Sequence, residues 1–428
     1  MENMQQPRSS SQLDAKSPGA IVLGGSFVGL GLVRSLGARG VETWVVDTDR
    51  SASIAKFSKY TKRYILAKED PIRLLLREGQ EHRLNGWVVF PVTDYFVDLL
   101  AHHHESLSSI YKLTTPPIEV TRFALDKRLT YRRARELGIA TPWTRLGDGP
   151  PDEIEKSLQY PVILKPAINH HFFPHTNLKA LPVSNASEFQ QRYAQMRKYL
   201  PPEEILIQER IPGDGENQFS LCAVCEKGRP YATLVAQRRR QYPVEFGNAS
   251  SFVETTRQAV VEREGRRFLE SIEFDGMVEV EFKFDPRDGR YKILDVNARP
   301  WGWHTLTSGA GADFAYLLWQ QKVGRAPRSV PKQHEAAWLR EITDFLAIAK
   351  SPRRGAEIRA LLKAVRERRL TLATFDLWDP IPFFAELGLW AVQGPARRRK
   401  ARAPLAGSVD DLAPGPHREL KAVRPLTP

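Results

Sequence analysis

Acids, an amide and a guanidinium alternate with apolar residues in two neighbouring stretches, Glu279 and Glu281 in the first and Asp295, Asn297 and Arg299 in the second. Strict alternation is the pattern of a half-buried strand. Val278, Val280, Phe282 and Phe284 then share one face, and Glu279, Glu281 and Lys283 the other. In the second stretch Leu294, Val296 and Ala298 oppose Asp295, Asn297 and Arg299. Pro286 and the Asp288-Gly289 pair supply turn chemistry between them, so the two read as a hairpin. Residues directly opposite in an antiparallel pair point the same way. A register with Glu281 against Asp295 and Glu279 against Asn297 therefore satisfies both faces. Carboxylates gathered like this repel one another unless a cation lies among them. Oxygen donors without His or Cys suit Mg²⁺, with Mn²⁺ as a second candidate. Taken alone, the same pattern equally describes a charged sheet face in water.

The company these residues keep is more specific. A carboxylate strand followed by an acid-x-Asn-x-Arg strand resembles the metal-binding end of the ATP-grasp ligases, among them D-alanine–D-alanine ligase, biotin carboxylase and the large chain of carbamoyl phosphate synthetase. The resemblance implies that Glu281, Asp295 and Asn297 hold magnesium against ATP phosphates, with Arg299 beside them. Asp295 departs from the commoner Glu and reaches one methylene less far. DKRLTYRRARELGIATP resembles the segment in which a Lys early in a helix contacts the phosphates, a place taken by Lys127. YPVILK resembles the strand whose Lys, here Lys165, projects onto them, where an ammonium neutralises charge. ILIQERIPG resembles the hinge between two subdomains, so Glu209, Arg210 and Ile211 are expected to line the adenine slot. Glu216 matches an acid that binds the ribose in some members and otherwise reads as a loop carboxylate. Five such features in family order imply an ATP-dependent carboxylate–amine ligase working through an acyl phosphate. The likeness to the D-aspartate ligase branch implies amino acids or peptides as substrates.

Two features depart from that pattern or extend it. The loop after Lys165, residues 167–178, contains no glycine where many members cover the phosphates with backbone amides. It offers His170, His171, Phe172, Phe173 and His175 instead, and the expectation is a bulky lid rather than a zinc site, since no Cys or spaced partner supports zinc. Farther on, Gln237–Tyr242 carries three consecutive arginines, which suit an anionic ligand. Arg238 or Arg240 is expected to face it, with Arg239 on the other side. Trp301, Trp303 and His304 follow the metal strand, where an acceptor would approach or where core aromatics would pack.

The elements that must position these groups are α/β. Ile21–Leu23, the Gly24-Gly25 turn, an apolar helix pattern and Trp44–Val46 ending at Asp47 form a β-turn-α-β opening. An acid ~20 residues past the glycines gives an imperfect dinucleotide-binding pattern, because Ser26 replaces the middle glycine. The alternative is a Rossmann-like domain that has only kept the turn. Trp87–Val92 continues the sheet, and Thr93-Asp94 at its carboxyl end is a candidate substrate contact. The expected organisation is a disordered lead over 1–20, a Rossmann-like domain over 21–120 and an ATP-grasp domain of two α+β subdomains over 121–330. A helical extension over 331–394, with a helical pattern from Trp338 to Val365, and a basic disordered tail over 395–428 complete it. The loop 246–254 reads as lying on the acyl-acceptor side.

The 428 residues suffice for two or three domains. No apolar run approaches ~18 residues, so no membrane span or membrane partner is expected, and the polar lead does not read as a signal peptide. Cys222 and Cys225 read as buried thiols of a cytoplasmic protein. The net charge of +13 invites nucleic acid as a partner. It is concentrated in 351–370 and 391–428, which carry no interleaved aromatics, so nucleic acid is not expected. Small carboxylic acids and amines are the expected partners, and a homodimer is compatible with the sequence. An NAD(P)-dependent oxidoreductase and a non-catalytic ATP-binding regulator are the competing readings.

Overall fold

The computed structural model describes residues 17–50, 53–213, 215–243, 249–325, 329–367 and 369–402. The chain divides into two compact units, Met1–Phe383 and Phe384–Pro428. In the first, the short apolar runs of β1 (Ala20–Leu23), β2 (Thr43–Asp47) and β4 (Val88–Pro91), flanked by the more polar β3 (Thr61–Leu66) and β5 (Lys112–Leu113), make an all-parallel sheet. The order β3-β2-β1-β4-β5 puts β1 between strands that continue in opposite directions. The carboxyl ends of β1 and β4 therefore form the switch point at which α/β sheets place ligands. At that edge stand the Gly24-Gly25 turn and Thr93, whose hydroxyl caps the helix Asp94–His102 by accepting from the Phe96 amide at 3.3 Å.

Asp47 is hydrogen-bonded to the glycine turn and to the chain that follows it. Its carboxylate accepts from the amides of Gly25 at 2.7 Å, Thr48 at 2.8 Å and Asp49 at 3.1 Å. The acid at the place of the ribose-binding acid therefore holds the turn. A Cβ on Gly25 would lie 1.9 Å from Ser53 Oγ and 2.9 Å from Asp47 Oδ2. Gly25→Ala is accordingly expected to destabilise the protein by about 1–3 kcal/mol, the usual cost of overpacking, read as a lower urea midpoint at unchanged slope.

Two further sheets follow. β6 (Thr144–Leu146), β7 (Val162–Pro166), β8 (Leu181–Val183) and β9 (Ile205–Glu209) form a four-stranded antiparallel layer in the order β6-β9-β7-β8. The remaining strands are β10 (Gln218–Glu226), β11 (Arg229–Tyr242), β12 (Ala249–Thr255), β13 (Gly276–Asp285), β14 (Arg290–Asn297), β15 (Ala337–Leu339) and β16 (Leu370–Leu372). They form one sheet ordered β14-β13-β10-β11-β12-β15-β16. One face of it packs Val278, Val280, Phe282 and Val296 against the helices Lys127–Glu136 and Ala259–Ser271. The second helix earns its place with Val261, Gly265, Phe268 and Leu269, spaced as one helical stripe. The other face carries the polar residues. Cys222 and Cys225 are both buried free thiols.

Several expectations are corrected here. Residues 249–255 are strand β12, not a loop, while 246–248 lie outside the described residues. The C-terminal extension is not purely helical: Trp338 lies on β15, which pairs with β12, and β16 pairs with β15 in parallel. All three β15 residues are buried, so their continuous apolar run gives no alternation to read. Residues 395–402, expected to be tail, continue the helix Ile381–Arg402, and 1–16 and 403–428 lie outside the described residues. Near its end the first unit folds back on its beginning. Arg34 Nε meets Asp379 Oδ2 at 3.0 Å and Arg34 Nη1 donates to the Thr374 carbonyl at 2.8 Å. Ser58 Oγ and the Lys59 amide also donate to the Asp379 carboxylate, at 2.6 and 3.0 Å.

Candidate functional site

The hairpin β13–β14 adopts the register read from the sequence, Glu279 against Asn297 and Glu281 against Asp295. A bulge next to that pair makes Ile293, not Leu294, the next core residue, so the apolar face reads Ile293, Val296, Ala298. On the polar face Asn297 Nδ2 donates to Glu279 Oε2 at 2.9 Å and to Glu281 Oε1 at 2.8 Å. Ser220 Oγ, on the adjacent β10, donates to Glu279 Oε1 at 2.8 Å. Burial, and then the charge of Glu281, raise the Glu279 carboxyl well above the usual range. Two acids held this close lack a counter-charge between them.

Cations ring the acids. Lys127 Nζ lies 3.1 Å from Asp295 Oδ1, and Arg238 Nη2 lies 3.8 Å from Glu281 Oε2. Lys127 is buried at the start of its helix, where Asp126 caps the Arg128 amide at 2.9 Å and the Lys127 amide donates to the Ala167 carbonyl at 3.0 Å. Lys165, at the end of β7, donates to the Tyr131 hydroxyl at 2.6 Å, which donates to the Leu294 carbonyl at 2.9 Å. Burial lowers Lys165 to about 8, against the pull of Asp295 and Glu281. Arg299 Nε donates to Asp94 Oδ1 at 2.6 Å and Arg299 Nη2 to Asn297 Oδ1 at 3.3 Å. Burial opposes the charge of Asp94, but Arg299 outweighs it and holds the acid at about 2. The switch point of the parallel sheet thus reaches the metal-type strand through one ion pair.

Lys127, Lys165, Arg238, Arg299, Glu281, Asp295 and Asn297 are therefore brought together. Glu279, Ser220, Tyr131 and Asp94 join them. Glu279 stood on the predicted polar face without being assigned as a ligand, and Tyr131 lies one helical turn past Lys127. Ser220 gave no signal. Among the described residues no three His, Cys, Asp or Glu side chains gather as a metal set by themselves. Glu279 and Glu281 with the Asn297 oxygen nevertheless supply hard donors, and the repulsion between the two acids is what a divalent cation would relieve. The residues fit Mg²⁺, with Asp295 engaged by Lys127.

Other candidates stand apart. A bulge between Arg238 and Arg240 sets them against Val253 and Phe252, neighbours in β12, so they face opposite sides of the sheet. Arg240 is bound to Asp344 by two bonds at 2.8 and 2.7 Å and is structural; Arg239 pairs with Glu254 at 2.9 Å. The Glu209 carboxylate accepts from the Trp143 amide at 2.8 Å and from Lys292 at 3.0 Å, tying β9 to the β13–β14 turn. The Glu209 amide in turn donates to the Trp143 carbonyl at 3.0 Å. The Arg210 amide donates to the Pro161 carbonyl at 3.2 Å, and the carbonyl of buried Ile211 accepts from Lys283 at 3.0 Å. Glu216 is half-exposed and lies 3.7 Å from Arg353. The three loop histidines diverge: His170 faces Asp98 at 3.5 Å, His171 meets Glu204 at 2.8 Å and His175 stacks on Tyr199 at 5.6 Å. Phe172 belongs to the core of the four-stranded layer, so this side chain does not form a lid. Trp301, Trp303 and His304 are all buried and serve as core.

No protein-family model matches the chain. It is 22% identical over 267 residues to the D-aspartate ligase of Enterococcus faecium (strain Aus0004), an overlap of 59% of this chain and 62% of that relative. The chain thus spans less than two thirds of that relative's length. Among solved structures, the L-amino acid ligase of Bacillus licheniformis superposes with a TM-score of 0.56 at 16% identity, over 72% of this chain and 75% of that one. The biotin carboxylase domain dimer of the Hydrogenobacter thermophilus 2-oxoglutarate carboxylase, in complex with MgADP, ADP and bicarbonate, superposes with a TM-score of 0.59 at 13% identity, over 75% and 74%. At these identities the likeness is one of fold.

Proposed function

We propose, from the premise that this chain belongs to the ATP-grasp superfamily, that it joins a carboxylate to an amine at the expense of ATP, through an acyl phosphate, in the cytoplasm. The observation that carries the reading is the polar face of β13–β14, where Asn297 bonds Glu279 and Glu281, Lys127 pairs with Asp295, Arg238 with Glu281 and Arg299 with Asn297. A carboxylate is a poor electrophile because its leaving group would be oxide. Attack of its oxygen on the γ-phosphorus of ATP, with departure of ADP, installs phosphate as a leaving group. Lys127, Lys165 and Arg238 are the cations that would hold the phosphate oxygens during this transfer. Glu281, Asp295 and Asn297, with Glu279 beside them, would hold Mg²⁺, which supplies charge neutralisation to the transferring group. Attack by the amine nitrogen on the acyl carbon then expels phosphate, and Arg299, oriented by Asp94, faces the developing oxyanion. Ile211 and the hinge backbone after β9 would receive adenine. The resemblance to a D-aspartate ligase supports amino acids or peptides as substrates.

The test is release of ADP and phosphate from Mg-ATP with pooled amino acids, D-aspartate included, and small dicarboxylates, with and without hydroxylamine. Release that depends on one component, accompanied by its hydroxamate, is expected. A chain that fails to bind ATP in calorimetry would refute the assignment. Affinity should also depend on pH. Lys165 is charged below about 8 and loses its proton above it. ATP binding is therefore expected to weaken as pH rises through that value, and Lys165→Gln should bind weakly throughout and lose the pH-dependent step.

A further inference from the structure

The helix Ile381–Arg402 is unlike the others in how its residues are distributed. Its first half is apolar and partly exposed. Phe384 is 60% exposed, Leu387 40%, Trp390 38% and Val392 79%. Leu377, Trp378 and Val392 are the three most exposed large apolar side chains among the described residues. Its second half carries Arg397, Arg398, Arg399, Lys400 and Arg402, and the whole helix contains a single acid, Glu386. Apolar and cationic residues are thus separated along the axis. No described helix is long and apolar enough to cross a membrane.

We propose that this helix docks the protein on the surface of a bilayer containing anionic lipid, its apolar half entering the headgroup boundary and its cationic half lying against the phosphates. Three observations favour this occupant. Trp and Phe prefer the interface, where a ring can be half in hydrocarbon and half in water. The five cations are complementary to a negatively charged surface, where each basic residue adds to attraction. A second copy of the same helix in parallel would bring two such runs together and be repelled, and an antiparallel one would set each run against the other's apolar half. An isolated apolar stripe without the cations would carry no preference among these partners; their adjacency in one helix does. Such docking departs from the expectation of no membrane partner, which was drawn from the lack of a spanning segment.

The full chain is tested by sedimentation with vesicles of phosphatidylcholine alone and of phosphatidylcholine mixed with phosphatidylglycerol, at low and high salt. Binding is expected to the mixed vesicles, weakened at least ~10-fold by high salt or by omission of phosphatidylglycerol. The quadruple variant Arg397→Gln, Arg398→Gln, Arg399→Gln, Lys400→Gln should lose about 100-fold or more, and Phe384→Ser with Leu387→Ser about tenfold or more. Thermal unfolding of each variant shows whether it is folded. The proposal is overturned if folded variants sediment like the wild type, or if the wild type ignores mixed vesicles at low salt. It is equally overturned if a homopolymeric RNA or an acidic peptide, and not the vesicles, is bound with the same dependence on the four cations.

Discussion

Asn297→Ala is expected to lower substrate-dependent ADP release by about 10²–10³-fold, the scale seen when a preorganised polar group is removed from a site where charge develops. The Asn297 amide is the one group bonded to both Glu279 and Glu281 among the described contacts, and its oxygen accepts from Arg299. Without it the two carboxylates face each other with less to separate them. Glu279, already raised by burial and by its neighbour, is then driven further toward its neutral form. A protonated acid is a poor ligand for a cation, so the variant should also require more Mg²⁺ at half-saturation, and more still at lower pH. Turnover within a few-fold of wild type at saturating Mg²⁺ and low Mg²⁺ alike would place the chemistry elsewhere.

Asp344→Ala is expected to destabilise the fold by about 3–5 kcal/mol, because it leaves a buried guanidinium unpaired. Arg240 lies in the sheet with both its bonds to this one carboxylate, and Ser251 Oγ donates to the same acid at 2.9 Å. Urea unfolding reads the loss directly. Replacing both partners, Arg240→Met with Asp344→Leu, should recover much of it, since the desolvation cost goes with the charges. Arg238→Met is the contrasting case. Two positions away but on the opposite face, it should leave the unfolding free energy within about 0.5 kcal/mol of wild type and reduce turnover. Equal stability losses at the two arginines would contradict the bulge that separates them.

That bulge also marks the limit of what the sequence made legible. The register of β13–β14 was readable at Glu279–Asn297 and Glu281–Asp295, where the two faces differ sharply in polarity, but the bulge beyond them moved the core residue from Leu294 to Ile293. Lys127, Lys165 and the hinge were placed by resemblance, and both lysines are found buried around the acids. Arg238 and Arg240 were assigned a common face by strict alternation, which fails wherever one strand gains a residue. β12 and β15 were missed for different reasons: the first is rich in small polar residues, the second is buried on both faces and has no period. Tyr131 and Ser220 carry no charge and no motif. Their importance lies in which lysine and which glutamate they touch, and those partners are 34 and 59 residues distant.

The clasp between Arg34 and Asp379 joins residues 345 apart in the chain. At a synthesis rate of about 5–20 residues per second, roughly 20–70 s pass on the ribosome between the appearance of the one and of the other. During that interval the nascent parallel sheet exists with an arginine, a serine hydroxyl and a backbone amide whose acid has not yet been made. The parallel sheet is thus made before the acid that joins its helix and its Ser58–Lys59 segment, and a chain released early would leave it open at the helix beside its own glycine turn.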